Sequence, residues 1–449
     1  MRTPLLALVG AALALLPVAG CSGCSKRDPA PSSASASGAS SSKADLAPTG
    51  GASMVAESLP RCRIDGPRLA VPGEDVVVGE AVIGNDQLLV GVVRREGTKR
   101  VASIVIAPLG LARVKVVDVG PSLGDDPPPS PRFRGAAAIV ASFARKGADG
   151  GRAGTRSLDI ARLEGNVLVA EGSIVQQADE SLAYDIAWPD GDKGGAGLVA
   201  WDEDAPPDVA QALGERGVVK VQLLGPGMKA RVASPQNADA EAPRLLARPG
   251  GFWLAWLARR AEATEDAGVN GNPEGPGERR SYRWVELVAL DAKGEPTSAV
   301  RRVSPEKGRA ASFELARAPG GSDAQLVVLV QDEAAQAEGA GERIVRYAID
   351  GEKLDAADLL DGGVGHALAD LLPPSGANRW LAFTDTQERA HLVPLGPALR
   401  VAGANTTEPA LDGARVLGAS PPDALYAIGP ADSSTGPTGH VELRRLICR

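Results

Sequence analysis

Aromatic residues and histidine are scarce in this sequence of 449 residues: Phe, Trp and Tyr make up 3%, and there are three histidines. Long apolar runs are missing beyond the extreme N-terminus, and a membrane-spanning helix needs about 20 apolar residues in succession. No block of basic residues occurs, and the formal net charge is −8. These absences exclude a protein that crosses the membrane several times. Without a basic block, the chain has no cluster of positive charge that could bind a phosphate backbone, so we expect no nucleic-acid partner.

Two short motifs of nucleotide and metal sites are also missing. The sequence has neither a Gly-x4-Gly-Lys phosphate loop nor a His-Glu-x-x-His zinc motif. Apolar residues are abundant, at 44%, together with 54 glycines and 35 prolines. That composition suits a large folded core with many turns. We therefore predict no cofactor, and the motifs identify no catalytic residue.

Residues 1–20 have the form of an export signal: Arg2 is basic, residues 5–16 are apolar, and small residues follow. The sequence Val18-Ala19-Gly20-Cys21 resembles the lipobox of bacterial lipoproteins, a resemblance that covers the first 21 residues. It implies that Cys21 becomes the first residue of the mature chain and carries acyl chains such as palmitate, which form a membrane anchor. The competing interpretation is an ordinary cleaved signal followed by a chance cysteine.

The residues after the cysteine bear on location and reach. In the lipoprotein family a residue other than Asp after the cysteine, here Ser22, favours the outer membrane over the inner one. Residues 21–60 are rich in Ser, Ala, Gly and Pro, which predicts a disordered linker with a reach of about 35 Å. Cys24 lies in this linker, and the sequence leaves open whether it is acylated, paired with another chain or free.

Residues 61–449 contain short apolar segments of period two, separated by turn residues, which indicates an all-β domain. Seven stretches share the plan of two strands joined by a tight turn. They begin at Val78, Phe133, Leu182, Arg244, Phe313, Leu368 and Val416. After each of the first six comes a second turn that contains glycine. These turns are Leu109-Gly110, Gly165-Asn166, Gly225-Pro226-Gly227, Lys293-Gly294, Asp350-Gly351 and Leu395-Gly396.

Units of four strands that recur about every 55 residues resemble the blades of β-propellers. The resemblance implies a seven-bladed ring, although tandem β-sandwiches share much of this pattern. The segment Phe252–Leu257 fits a blade, because apolar residues occupy both faces of the strand, as expected between two neighbouring blades.

The seventh unit is one strand short, because after Val416–Ile428 only Val441–Cys448 remains. The segment Cys62–Val71 is available to complete it, so we expect the two ends of the domain to close the ring. Cys62 and Cys448 are the cysteines of the predicted domain, and an exported protein meets an oxidising compartment. We predict a disulfide between them; the alternative is two unrelated buried thiols.

Two groups of polar residues are candidates for a metal site. His366, His391 and His440 could converge on a central channel, but isolated, partly exposed histidines are the simpler prediction. The acidic segment Glu262–Glu278 offers oxygen ligands for calcium, but its spacing does not match the known calcium loop, so we predict an exposed insertion. Its ligand candidates are Asp266, Asn270, Asn272 and Glu274. We expect no metal ion.

Two classes of function remain open. One is a non-enzymatic binding or scaffolding module in the cell envelope, which would engage an envelope protein or polymer. The anchor, the linker and the ring favour this class, because they present a rigid domain and its loops to a partner. The alternative is a periplasmic or surface enzyme acting on glycans or lactones through carboxylates in the channel. Converging acidic or histidine side chains with perturbed pKa values would favour the enzyme, and a neutral channel would favour the scaffold.

Overall fold

The computed structural model describes most of the domain from residue 61 onward. The export signal, Cys21, Cys24, the linker, His366 and the segment Glu262–Glu278 lie outside the described residues. The described ranges are 61–122, 126–146, 155–175, 183–189, 195–204, 217–225, 227–235, 238–261, 281–306, 308–317, 326–332, 342–365, 370–375, 378–396, 399–420, 424–431 and 440–448. Within them, the strands form seven antiparallel sheets.

Two short strands, β1 (Cys62–Ile64) and β2 (Leu69–Val71), precede the first blade. Blades 1 to 3 each contain four consecutive strands that pair in chain order. Blade 1 is β3 (Glu74–Gly84), β4 (Gln87–Glu96), β5 (Lys99–Pro108) and β6 (Lys115–Pro121). Blade 2 is β7 (Ser130–Arg134), β8 (Ala137–Lys146), β9 (Thr155–Glu164) and β10 (Val167–Val175). Blade 3 is β11 (Tyr184–Ala187), β12 (Leu198–Asp204), β13 (Gly217–Leu223) and β14 (Arg231–Val232).

Blades 4 to 6 repeat the same order. Blade 4 is β15 (Asp239–Arg248), β16 (Gly251–Ala261), β17 (Ser281–Asp291) and β18 (Arg301–Arg302). Blade 5 is β19 (Ala310–Arg317), β20 (Leu326–Asp332), β21 (Glu342–Asp350) and β22 (Lys353–Val364). Blade 6 is β23 (Asp370–Ser375), β24 (Asn378–Thr384), β25 (Ala390–Leu395) and β26 (Thr406–Thr407). All six predicted second turns join the third and fourth strands.

Blade 7 combines the two ends of the domain. Its strands β27 (Arg415–Ser420), β28 (Ala424–Pro430) and β29 (Val441–Cys448) are completed by β1 and β2, which both pair with β29. Cys62 lies opposite Cys448 in this register, and the two form a disulfide with α-carbons 4.0 Å apart. The predicted closure and disulfide are confirmed.

First strands of neighbouring blades pack against one another around the ring, including β27 of blade 7 against β3 of blade 1. Between β7 and β11 the contact is the ion pair of Arg132 with Asp185. The chain is therefore a seven-bladed β-propeller and not a pair of sandwiches. Apolar clusters fill the spaces between blades. Phe252, Leu254 and Trp256 pack toward blade 3, whereas Ala255 and Leu257 pack toward blade 5. The prediction of a strand between two blades is confirmed. In the described part of the chain, no helix is long and apolar enough to cross a membrane.

The Glu408 side chain holds the start of the domain in place. This carboxylate is fully buried and accepts hydrogen bonds from the main-chain N–H of Arg61 and Cys62, each at 3.0 Å, and from the Thr406 hydroxyl at 2.6 Å. It thus links blade 6 to the strand that completes blade 7. A buried main-chain donor without an acceptor costs about 1 to 3 kcal/mol.

Replacing Glu408 with alanine leaves the two N–H groups without their acceptor, so we expect a loss of about 2 to 4 kcal/mol in unfolding free energy. Urea unfolding followed by tryptophan fluorescence measures it. Glu352→Ala, in an exposed turn, is the control and should change the midpoint little. Equal midpoints for the two variants would show that Glu408 does not hold this strand.

Candidate functional site

Charged side chains from five successive blades meet in the central channel. We call these five residues the charge belt: Glu80 on β3, Arg132 on β7, Asp185 on β11, Arg244 on β15 and Glu314 on β19. Their signs alternate around the ring. Charges on non-adjacent blades also act on one another, as Glu80 and Arg244 do, which places them around a common centre.

Irregular pairing in the first strands helps to aim two of these side chains. The register between β3 and β4 shifts between Val78 and Ala81, next to Glu80, and that between β15 and β16 shifts between Glu241 and Arg244. A β-bulge of this kind bends the strand and redirects a side chain. Two of the five channel charges, Glu80 and Arg244, therefore lie next to local breaks in the alternation of their strands, whereas the strands that carry Arg132 and Asp185 pair regularly.

Arg132 is the centre of the belt. Its guanidinium lies 2.7 Å from the Glu80 carboxylate and 3.0 Å from that of Asp185. The Ser130 hydroxyl also donates to Glu80. Asp185 in turn accepts hydrogen bonds from the main-chain N–H of Ile186 and Leu245, both at 2.8 Å, and so joins blade 3 to blade 4. Arg132 thus pairs with two carboxylates at once, and the three residues together keep a net charge of −1.

Arg244 is more loosely held than Arg132. Its Nε atom lies 3.7 Å from a Glu314 carboxylate oxygen, and one Nη atom donates to the Pro243 carbonyl at 3.1 Å. More than a quarter of the Arg244 side chain is exposed to water. Within the belt, this guanidinium is the group with the most capacity left for an anionic ligand.

Three titratable groups of the channel region have pKa values shifted further from 7: that of Glu80 is lowered, and those of Tyr184 and Arg132 are raised. Burial alone would raise the pKa of Glu80, but Arg132, Ser130 and Arg244 outweigh it and lower this pKa to about 2. Burial raises the pKa of the Tyr184 hydroxyl, and the Glu80 charge adds to the effect. Burial would lower the pKa of Arg132, but Glu80 and Asp185 outweigh it and raise this pKa. Glu80 is therefore ionised at neutral pH, unlike a general acid or base tuned to that range.

The depressed pKa of Glu80 predicts a specific pH dependence. Its stabilising contribution is complete above the ordinary carboxyl pKa near 4.5 and is lost as the pH falls toward about 2. We expect Glu80→Gln to lower the unfolding free energy by about 1 kcal/mol at pH 7, because water screens this partly exposed pair. The difference from the native protein should shrink between pH 4.5 and 2. Urea unfolding at several pH values measures it, and a difference independent of pH would contradict it.

The described histidines lie apart. His391, on β25, contacts Asp385 at 2.9 Å and Asn405 at 3.1 Å and stacks on Phe383. Burial alone would raise the pKa of Asp385, but hydrogen bonds from His391 and Arg389 outweigh it and lower this pKa. His440 precedes β29 in blade 7. His391 and His440 therefore form no shared site, and no group of His, Cys, Asp or Glu among the described residues could hold a metal ion.

A shallow groove lies between blades 7 and 1. Its volume is about 690 Å³, and apolar residues dominate its lining, with His440, Asp75 and Arg415 among the polar residues. The start of β3 lies there beside the end of β28 and the start of β29. The groove therefore marks the face from which the connections between second and third strands leave. We call this the loop face.

Four of the six tryptophans are buried, namely Trp201, Trp256, Trp284 and Trp380. The indole N–H groups of Trp256 and Trp284 donate to Glu286 at 3.1 and 3.0 Å. These four offer no exposed platform for a sugar ring. Trp188 and Trp253 are half-buried, and the guanidinium groups of Arg134 and Arg248 lie over their rings.

The prediction that the motifs identify no catalytic residue did not consider Ser122. This residue lies in the sequence Gly120-Pro121-Ser122-Leu123-Gly124. These letters match the nucleophile motif of α/β hydrolases, in which a strand leads through a sharp turn into a helix. Ser122 instead follows β6, the outer strand of a blade. Its hydroxyl is buried and has no hydrogen-bond partner among the described residues. The two described histidines lie on other blades, His391 in blade 6 and His440 before β29 in blade 7.

Comparisons with known proteins identify no family and leave the activity open. No family model matches the chain, and no curated protein matches it. Among solved structures, polysaccharide lyase Uly1 is similar at 9% identity and a TM-score of 0.47, over 84% of this chain and 90% of that one. The β-propeller domain of the Trilobed protease from Pyrococcus furiosus is similar at 8% identity and 0.46, over 83% and 94%. Because both scores are below 0.5, the fold assignment rests on the sheet topology.

Proposed function

We propose that this chain is a lipid-anchored, non-enzymatic binding module of the bacterial cell envelope. The observation that carries the proposal is the charge belt. Glu80 and Asp185 are both held by Arg132, and the pKa of Glu80 lies far below neutrality. The channel is not neutral, contrary to our expectation for a scaffold, and its acidic side chains do converge with a perturbed pKa. The pKa of Glu80, however, is lowered away from neutrality, whereas a general acid or base works best with a pKa near the working pH. The direction of this shift is therefore what favours a binding module over acid–base catalysis.

The binding surface that we propose is the loop face. Residues between the second and third strands vary in number from blade to blade, with two between β4 and β5 but the long stretch 262–280 between β16 and β17. A rigid ring that carries loops of different length is a common way to build a recognition surface. The partner that we propose is an envelope protein or an envelope polymer.

The anchor that we propose is the acylated Cys21 in the outer membrane. Growth with an alkyne analogue of palmitate, followed by dye coupling, tests it. We expect label on the native chain and on Cys24→Ala, whose change lies three residues away, and none on Cys21→Ala. Label that persists in Cys21→Ala, or is absent from the native chain, would overturn the anchor.

Crosslinking in intact cells tests the binding role. We expect one recurrent envelope component to be captured with the anchored protein and to be lost or strongly reduced with Cys21→Ala. The enzyme alternative has its own test, which is incubation of the purified protein with envelope glycans and lactones. Turnover that Glu80→Gln or Glu314→Gln abolishes would overturn the non-enzymatic proposal.

A further inference from the structure

The outer edge of blade 2 differs from the other outer edges. An edge strand presents unpaired main-chain N–H and C=O groups, and proteins protect such edges by shortness, charges or proline. The edges β14, β18 and β26 have two residues each, and β1 and β2 have three. The longer edges carry protecting residues, namely Lys115, Asp118 and Pro121 on β6 and Lys353, Asp355, Asp358 and Asp361 on β22.

Strand β10 has little of this protection. It is nine residues long, with the sequence VLVAEGSIV, and its one charged residue is Glu171. That charge is neutralised within the blade, because Glu171 accepts two hydrogen bonds from Arg134, at 2.7 and 2.9 Å, and lies 3.5 Å from Arg162. Val167 and Val169 are 62% and 37% exposed. The edge is thus neutral and apolar, and its regular part runs from Val167 to Ala170, before the register shift between Ala170 and Gly172.

The hairpin register shows which main-chain groups of β10 face outward. Val167 lies opposite Glu164 across the two-residue turn Gly165-Asn166, and pairing is regular as far as Ala170. A two-residue turn is closed by a hydrogen-bonded pair, and such pairs alternate along an antiparallel ladder. The N–H and C=O groups of Val167 and Val169 therefore face β9. Those of Leu168 and Ala170 face away from the blade and can pair with another strand.

We propose that β10 pairs with the β10 strand of a second copy of this chain, antiparallel and about a two-fold axis. In this register Val169 of one copy faces Val169 of the other, and Leu168 faces Ala170 of the other copy. The outward groups then form four main-chain hydrogen bonds and join two blades into one eight-stranded sheet. Glu171 faces Val167 of the other copy, so the two like charges are not directly opposed.

Self-complementarity is the reason to assign a second copy to this edge. A two-fold interface uses the same patch twice, and the Leu168 and Ala170 groups satisfy each other across the axis. Because Glu171 is already neutralised by Arg134 and Arg162, the edge offers no net charge that would select an acidic or basic foreign strand.

Sedimentation velocity on the full chain tests the dimer, with Cys21 and Cys24 replaced by serine so that neither a lipid nor a free thiol contributes. We expect a dimer that dissociates on dilution. Val169→Lys and Val169→Glu should each weaken it by at least about tenfold, because two like charges then oppose each other on the axis. An equimolar mixture of the two variants should dimerise again. Val300→Lys, changed at a residue of equal exposure outside any strand, is the control.

Cysteine crosslinking gives an independent readout in the same serine background. The pair at Val169 is not hydrogen-bonded across the axis, so its α-carbons should lie about 4.5 Å apart, within reach of a disulfide. Oxidation by copper phenanthroline should crosslink Val169→Cys rapidly and Val300→Cys slowly. A native chain that stays monomeric, a dimer unaffected by Val169→Lys, or equal crosslinking at both residues would overturn the proposal. Capture of a foreign strand by a monomeric chain would overturn it as well.

Discussion

Removal of both Cys62 and Cys448 is expected to lower the free energy of unfolding by about 5 kcal/mol. The bond joins residues that are 386 positions apart, so it restricts the unfolded chain over almost the whole domain. The loss acts mainly through the unfolded state, because β1 still pairs with β29 and Glu408 still holds the main chain of Arg61 and Cys62. We therefore expect the double alanine variant to fold with a propeller circular dichroism spectrum but to unfold at lower denaturant.

Urea unfolding with and without reductant makes the measurement. Reduction should lower the midpoint of the native protein to that of the double variant and should leave the double variant unchanged. A native protein that unfolds at the same urea concentration with and without reductant would contradict the expected contribution of the bond.

The second large loss of stability is expected when Gly91, on the second strand of blade 1, is replaced with alanine. A β-carbon at this position would lie 1.6 Å from the Pro129 carbonyl oxygen, which belongs to the segment leading into blade 2. The obstacle is main chain and cannot rotate away, so alanine would push the two blades apart. Overpacking of this kind costs about 3 kcal/mol or more.

Thermal unfolding followed by circular dichroism measures the Gly91→Ala effect. The control is Gly120→Ala on the outer strand of the same blade, where a β-carbon would meet no atom within 4 Å. We expect a clear fall in the unfolding temperature for Gly91→Ala and little change for Gly120→Ala. Similar temperatures for the two variants would show that the first two blades can separate without cost.

Turn chemistry made the blades predictable from sequence. Gly165-Asn166 and Asp350-Gly351 each join a third to a fourth strand, because glycine there adopts a positive φ, of 64° and 55°, that other residues rarely adopt. Such signals are local, so they can be recognised without knowledge of the fold. The disulfide followed from a different argument, since Cys62 and Cys448 lie in the two segments that had to share one blade.

The charge belt could not be predicted in the same way. Glu80, Arg132 and Asp185 are about 50 residues apart in sequence, and charged residues are common between turns. A bulge changes which side chain of a strand faces the channel, as it does beside Glu80, so alternation alone assigns the wrong residues. Their convergence appears only when the register of each first strand is known.

The closure of blade 7 also determines how the domain would respond to tension from its N-terminal side. Termini normally fray first, since few contacts hold them. Here a pull on residue 61 reaches β1, which is joined to β29 by the disulfide. The load passes from one end of the domain to the other within a single blade, and β1 cannot be peeled from β29 at Cys62 while that bond is intact. A protein held by its N-terminus would thus keep its ring closed under mechanical stress.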